Sequence, residues 1–92
     1  GLDVSALITI VSDSSKYYEK VIIEANNTPE VVRCFSTTGD GSHVLLIQTK
    51  NTKSLEILLR KIQSWPGVIR TNTQLILSSY KDLTPIYFEY NH

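Results

Sequence analysis

Two strand-like segments of this chain carry large apolar side chains on both of their faces. Along residues 4–12, Val4, Ala6, Ile8 and Ile10 fall on one side, while Leu7 and Val11 fall on the other. Along residues 43–49, Leu45 and Ile47 point one way and Val44 and Leu46 the opposite way. Only two amphipathic helices are available as cover. One carries Tyr18, Val21, Ile22 and Ala25 and the other Leu55, Leu58, Leu59 and Ile62, both at the i, i+3, i+4, i+7 spacing of a helical stripe. Right-handed crossovers place both helices on the same side of a sheet. The remaining face would be polar if it met water. Each bulky apolar side chain left there forgoes about 1.5–3 kcal/mol of burial, and a patch of them marks an interaction surface. A second copy of the sheet, packed face to face, resolves the conflict. The competing cover is the chain's own C-terminal tail.

The order of elements follows from the punctuation between them. A strand over 4–12 gives way to Asp13, Ser14 and Ser15, whose side-chain oxygens suit a helix N-terminus. Asn26, Asn27, Thr28 and Pro29 end the first helix, and a Val- and Phe-rich strand occupies 30–37. Gly39-Asp40-Gly41-Ser42 is a hairpin signal, and the third strand covers 43–49. Asn51 or Thr52 caps the second helix, Pro66-Gly67 stops it, and a long fourth strand extends from Val68 to about Ser79. This β-α-β-β-α-β order predicts a ferredoxin-like α+β sandwich: a four-stranded antiparallel sheet with two helices on one face, closing with a second copy into a dimeric α/β barrel. Residues 1–80 form the domain. Residues 81–92 form a tail in which Ile86, Phe88 and Tyr90 alternate as in a short extra strand.

Composition narrows the function. Nine Lys and Arg balance nine Asp and Glu, so the chain lacks the basic surplus with which DNA-binding domains displace counterions from phosphates. The single cysteine, Cys34, excludes an intramolecular disulfide and favours a reducing compartment, hence the cytoplasm. No apolar run approaches the ~20 residues that span a bilayer. The chain begins at Gly1 and contains no Met, as expected of a domain cut from something longer.

Four motifs then stand in order at suitable spacing: Pro29-Glu30-Val31-Val32, Thr38-Gly39-Asp40, Trp65-Pro66-Gly67-Val68, and Arg70-Thr71-Asn72-Thr73-Gln74-Leu75-Ile76-Leu77. With them the chain resembles, over about residues 4–80, the C-terminal effector-binding domain of Lrp/AsnC-type (leucine-responsive) transcription regulators, the regulation-of-amino-acid-metabolism domain. The resemblance implies effector sensing and oligomerisation: a homodimer, often a ring of dimers, with an amino-acid effector near subunit contacts. It also implies DNA binding only through a separate N-terminal helix-turn-helix, which nothing in this chain resembles. The family hairpin commonly reads Thr-Gly-Asp-Tyr-Asp, its last carboxylate helping to hold an effector's amino group. This chain has Ser42 there, and a neutral hydroxyl gives an ammonium much less stabilisation.

The candidate ligand-binding residues are Thr38, Gly39, Asp40, Gly41 and Ser42, with Thr71, Asn72 and Thr73 reaching the same pocket across an interface. Glycines admit close backbone approach, and free N–H groups can hold a carboxylate. An ordinary tight hairpin and an ordinary strand are the competing explanations. His43 has no second ligand at metal spacing and reads as a strand-end histidine, Cys34 as a small buried hydrophobe, and Trp65 as a cap on the core end of the second helix. Lys50, Lys53, Arg60, Lys61 and Arg70 read as solvated charges. No catalytic pair, metal site or cofactor motif is visible, so no enzyme is expected. A small dimeric-barrel monooxygenase and an ACT-like regulatory module share the element order. The first would need an ionisable group in its pocket, and the second tends to use glycine where this chain has Ser12-Asp13-Ser14-Ser15.

Overall fold

A computed structural model describes residues 4–79. Strand β1 (Val4–Ser12) leads through a 3-10 turn at Ser15–Tyr17 into helix α1 (Tyr18–Asn26). Strands β2 (Val31–Ser36) and β3 (His43–Thr49), helix α2 (Thr52–Gln63) and strand β4 (Val68–Leu75) follow. The four strands form one antiparallel sheet in the order β2-β3-β1-β4, as the ferredoxin-like reading expects.

The core lies between one face of this sheet and the helices. Ala6, Ile8 and Ile10 of β1 pair with Ile47, Leu45 and His43 of β3, and all six are fully buried. Against them pack Val21 and Ala25 of α1, Leu55, Leu58 and Ile62 of α2, and Trp65, which closes the end of α2. The 3-10 turn and helix α2 start where side chains satisfy orphan backbone donors, whereas α1, with Tyr17 at its N-cap, has no side-chain cap. Ser14 Oγ accepts from Lys16 N at 3.3 Å, and Asn51 Oδ1 accepts from Ser54 N at 2.8 Å. Asn51→Ala is therefore expected to cost about 1 kcal/mol, measured as a lower urea midpoint with an unchanged slope.

Two boundaries differ from the sequence reading. The segment before α1 winds as a 3-10 turn, in which Tyr17 N donates to Ser14 O at 3.2 Å. The fourth strand stops at Leu75 instead of running to Ser79. Its only neighbour among the described strands is β1, whose pairing ends at Ala6–Leu75; after Ile76 N donates to Ser5 O at 2.9 Å, no described strand lies beside it. Leu77 is accordingly 91% exposed. The predicted tail strand, residues 81–92, lies outside the described residues.

Among the described residues, no helix lies over the opposite face of the sheet. There Leu7 pairs with Leu46, Thr9 with Val44, and on the outer strands Phe35 faces Val44 and Arg33 faces Leu46. Leu7, Val11, Phe35, Val44 and Leu46 thus form an apolar centre, with Phe35 46% exposed. Arg33, Gln48, Arg70, Asn72 and Gln74 ring it, since β1 sets Leu7 opposite Gln74, Thr9 opposite Asn72 and Val11 opposite Arg70. The two-sided hydrophobic pattern of β1 and β3 is a real property of the fold.

Candidate functional site

The β2–β3 hairpin is built by a few local constraints. Thr37 N donates to Ser42 O at 3.1 Å and its hydroxyl donates to Gly41 O at 3.4 Å. Gly39 sits at φ +97°, a conformation L side chains rarely adopt. Gly41 is required for a different reason. A Cβ there would lie 2.5 Å from Thr9 Cγ2 and 3.1 Å from Ile10 O, so only a bare backbone can rest against β1. Ser42 completes the attachment, its N–H donating to Ile10 O at 2.9 Å.

The side chain of Ser42 turns inward. Its Oγ lies 2.7 Å from His43 Nδ1 and 3.1 Å from Ser12 Oγ. The His43 ring is fully buried and stacks at 4.5 Å, tilted by 43°, against Tyr18, whose hydroxyl bonds the Ser36 hydroxyl. His43 Nε2 has no hydrogen-bond partner among the described residues. A chain of polar contacts therefore links the hairpin, the end of β1 and the start of α1. Burial pushes the His43 imidazole below its ordinary value, and the Glu19 carboxylate and a Tyr18 backbone hydrogen bond partly oppose this. The unfolded chain then takes up its proton first as pH falls, at about 6.5. Stability from this group is complete above that pH and is lost below it, towards the folded value. Urea midpoints are expected to hold steady above about pH 7 and to decline as the pH falls below about 6.5. His43→Gln should remove that decline; an unchanged decline would assign it to other groups.

The eight candidate residues do not all come together in one chain. Thr38, Gly39 and Asp40 form the exposed hairpin tip, and Gly41 and Ser42 its anchored base. Asn72 pairs with Thr9 on the open face, on the far side of β1 from Gly41. Thr71 and Thr73 pair with Ile10 and Ile8 and so belong to the helix-covered face, where Thr71 Oγ1 accepts from Gln63 Nε2 at 3.2 Å. Within one chain, then, only Asn72 of the β4 trio shares a face with the side of β1 that Gly41 touches.

Other sequence readings are refined. His43 is more than a strand-end residue, and its place in the alternation with Leu45 and Ile47 carried that signal. Cys34 packs half-buried against the core, and burial pushes its thiol pKa up. No group of three or more His, Cys, Asp or Glu among the described residues could hold a metal ion, and no described helix is long and apolar enough to cross a membrane. The sequence reading passed over a cleft at the other end of β3, lined by Pro29, Glu30, Gln48, Thr49, Lys50 and Ser54.

Comparison with known proteins adds a second line of observation. The family model for the Lrp/AsnC ligand binding domain matches residues 3–86. The HTH-type transcriptional regulator FL11 of Pyrococcus horikoshii is 36% identical over 86 residues, covering 94% of this chain and 56% of that protein. Among solved structures, the feast or famine regulatory protein from M. tuberculosis complexed with L-methionine is similar at a TM-score of 0.79 and 28% identity, over 90% of this chain and 56% of that one. AsnC of E. coli is similar at a TM-score of 0.81 and 26% identity, over 92% and 59% respectively. The chain spans a little over half the length of these relatives.

Proposed function

This chain belongs to the Lrp/AsnC ligand-binding domain family, and on that premise we propose that it is the effector-sensing and oligomerising part of a transcription regulator. The observation that carries the reading is the apolar centre of Leu7, Val11, Phe35, Val44 and Leu46 inside a polar ring, which no described helix covers. It has the anatomy of an interface, an apolar middle with a hydrophilic rim. Two such sheets packed face to face give a homodimeric barrel, and dimers can assemble further into a ring. DNA contact belongs to a separate N-terminal helix-turn-helix. The effector is a small molecule of amino-acid type, taken up by Thr38 to Ser42 with Asn72, and with Thr71 and Thr73 supplied from a neighbouring subunit. A cytoplasmic, non-catalytic role agrees with relatives that are transcriptional regulators, one of them solved with L-methionine.

Sensing works by linkage: an effector that binds one assembly state more tightly draws the population towards that state. The spacing of attached DNA-binding modules changes with it. Sedimentation velocity with and without each common L-amino acid tests both halves. The expected particle is at least a dimer of the 10.4 kDa chain, redistributed by at least one amino acid. A lone 10.4 kDa particle at high concentration overturns the assembly half. Identical profiles with no detectable binding overturn the sensing half.

A further inference from the structure

Among the described strands, β4 leaves one whole edge of the sheet open. Ile76 N donates to Ser5 O, and by antiparallel alternation the N–H groups of Arg70, Asn72 and Gln74 also point at β1. Those of Thr71, Thr73 and Leu75 point outward, where no described strand receives them. Apolar side chains accompany this edge: Ile69, Leu75 and Leu77 are 58%, 51% and 91% exposed. We propose that residues 86–91 of the same chain dock on this edge as a fifth, antiparallel strand, with Ile86 against Leu75, Phe88 against Thr73 and Tyr90 against Thr71. This contact is separate from both the hairpin and the apolar centre of the open face.

Three features select this occupant. Reach is sufficient: residues 80–92 follow the described chain directly, and thirteen residues extend about 40 Å. A return along β4 needs a loop and six residues, about 20 Å of strand. Lys81-Asp82 and Thr84-Pro85 suit the loop, while Ile86-Tyr87-Phe88-Glu89-Tyr90 is rich in strand formers. Polarity matches on each face. Leu75 pairs with Ala6 on the helix-covered side, so this register sets Ile86, Phe88 and Tyr90 on the face where Leu75 lacks cover. Glu89 then falls on the open side, diagonal to Arg70, which has no ion pair among the described residues. A slip by one residue would turn Glu89 away from Arg70 and the apolar trio away from Leu75. Finally, a bare strand edge invites pairing with other chains, and natural sheets cover such edges.

Amide hydrogen exchange at residue resolution on the full chain tests the docking. The Thr71, Thr73 and Leu75 amides are expected to exchange at least about a hundredfold more slowly than freely solvated ones, and to lose that protection when the chain is cut after Tyr80. Slow exchange at the buried Leu45 and Ile47 reports an intact core. Should the cut chain fail to fold, Phe88→Asp takes its place, keeping the length and removing one apolar contact of the added strand; the same loss is expected. Dilution separates the two sources of a strand. A segment of the same chain protects the edge at every concentration, whereas a second copy does so only when concentrated. Freely exchanging edge amides in the full chain overturn the fifth strand. Protection that persists in the folded variant also overturns it, and protection that fades on dilution assigns the edge to another copy instead.

Discussion

Leu46→Glu is expected to turn the assembled protein into folded single chains. Leu46 lies on the open face, paired with Leu7 on one side and Arg33 on the other, and contributes nothing to the helix-covered core. A carboxylate there costs the isolated domain little, since it meets water. In a face-to-face dimer it must be buried, and twofold symmetry buries two copies at once. An unpaired charge in such a setting costs several kcal/mol. The dimer is therefore expected to weaken by at least about a thousandfold, which corresponds to ~4 kcal/mol. Sedimentation equilibrium would read this as a fall to the 10.4 kDa mass, with the circular dichroism spectrum unchanged. Glu56→Gln, on the outer side of α2, serves as the control and should leave the mass alone. An undiminished mass for Leu46→Glu would mean that the open face is not the contact surface.

Gly67→Ala is expected to be the most damaging of the conservative changes, at about 2–4 kcal/mol. Two independent causes combine. Gly67 is held at φ +79°, a region that costs any L residue about 1–2 kcal/mol. In addition, a Cβ there would overlap the Tyr17 side chain at Cβ and at the ring atoms Cγ and Cδ2, which forces it off its seat beside α1. The backbone cannot shift freely to relieve this, because Gly67 O accepts from Asp13 N at 2.7 Å and ties the start of β4 to the end of β1. Urea unfolding would measure the loss. The double variant Tyr17→Ala with Gly67→Ala should cost less than the sum of the two single changes, because the overlaps with Cγ and Cδ2 vanish with the ring and only the one with the residue 17 Cβ remains.

How far the sequence discloses this molecule depends on the strand. The inner strands were readable because both neighbours of β1 and β3 enforce the two-residue period, and the expected limits 4–12 and 43–49 match the observed ones. The outer strands were less readable. A register shift between Val31 and Arg33 pushes Val32 outward, where half of it is exposed, and another between Val11 and Ser12 displaces the start of β4. Such bulges depend on the partner strand and leave no local mark. For the candidate site, the same period already separates Thr71 and Thr73 from Asn72 by face. The cleft was invisible for another reason: Glu30 and Lys50 stand 20 positions apart, and it takes the β2–β3 pairing, with its Gln48–Glu30 backbone bond, to bring their segments together.

The register of the central strand also decides where other parts of a longer chain could attach. Val4 is the partner of Thr49, and Leu75 is the partner of Ala6, so the described chain arrives and departs at the same pole of the sheet. The hairpin tip occupies the other pole. Whatever is joined ahead of Val4 would therefore start next to Thr49 and Lys50, while the hairpin is separated from that point by the full length of the sheet.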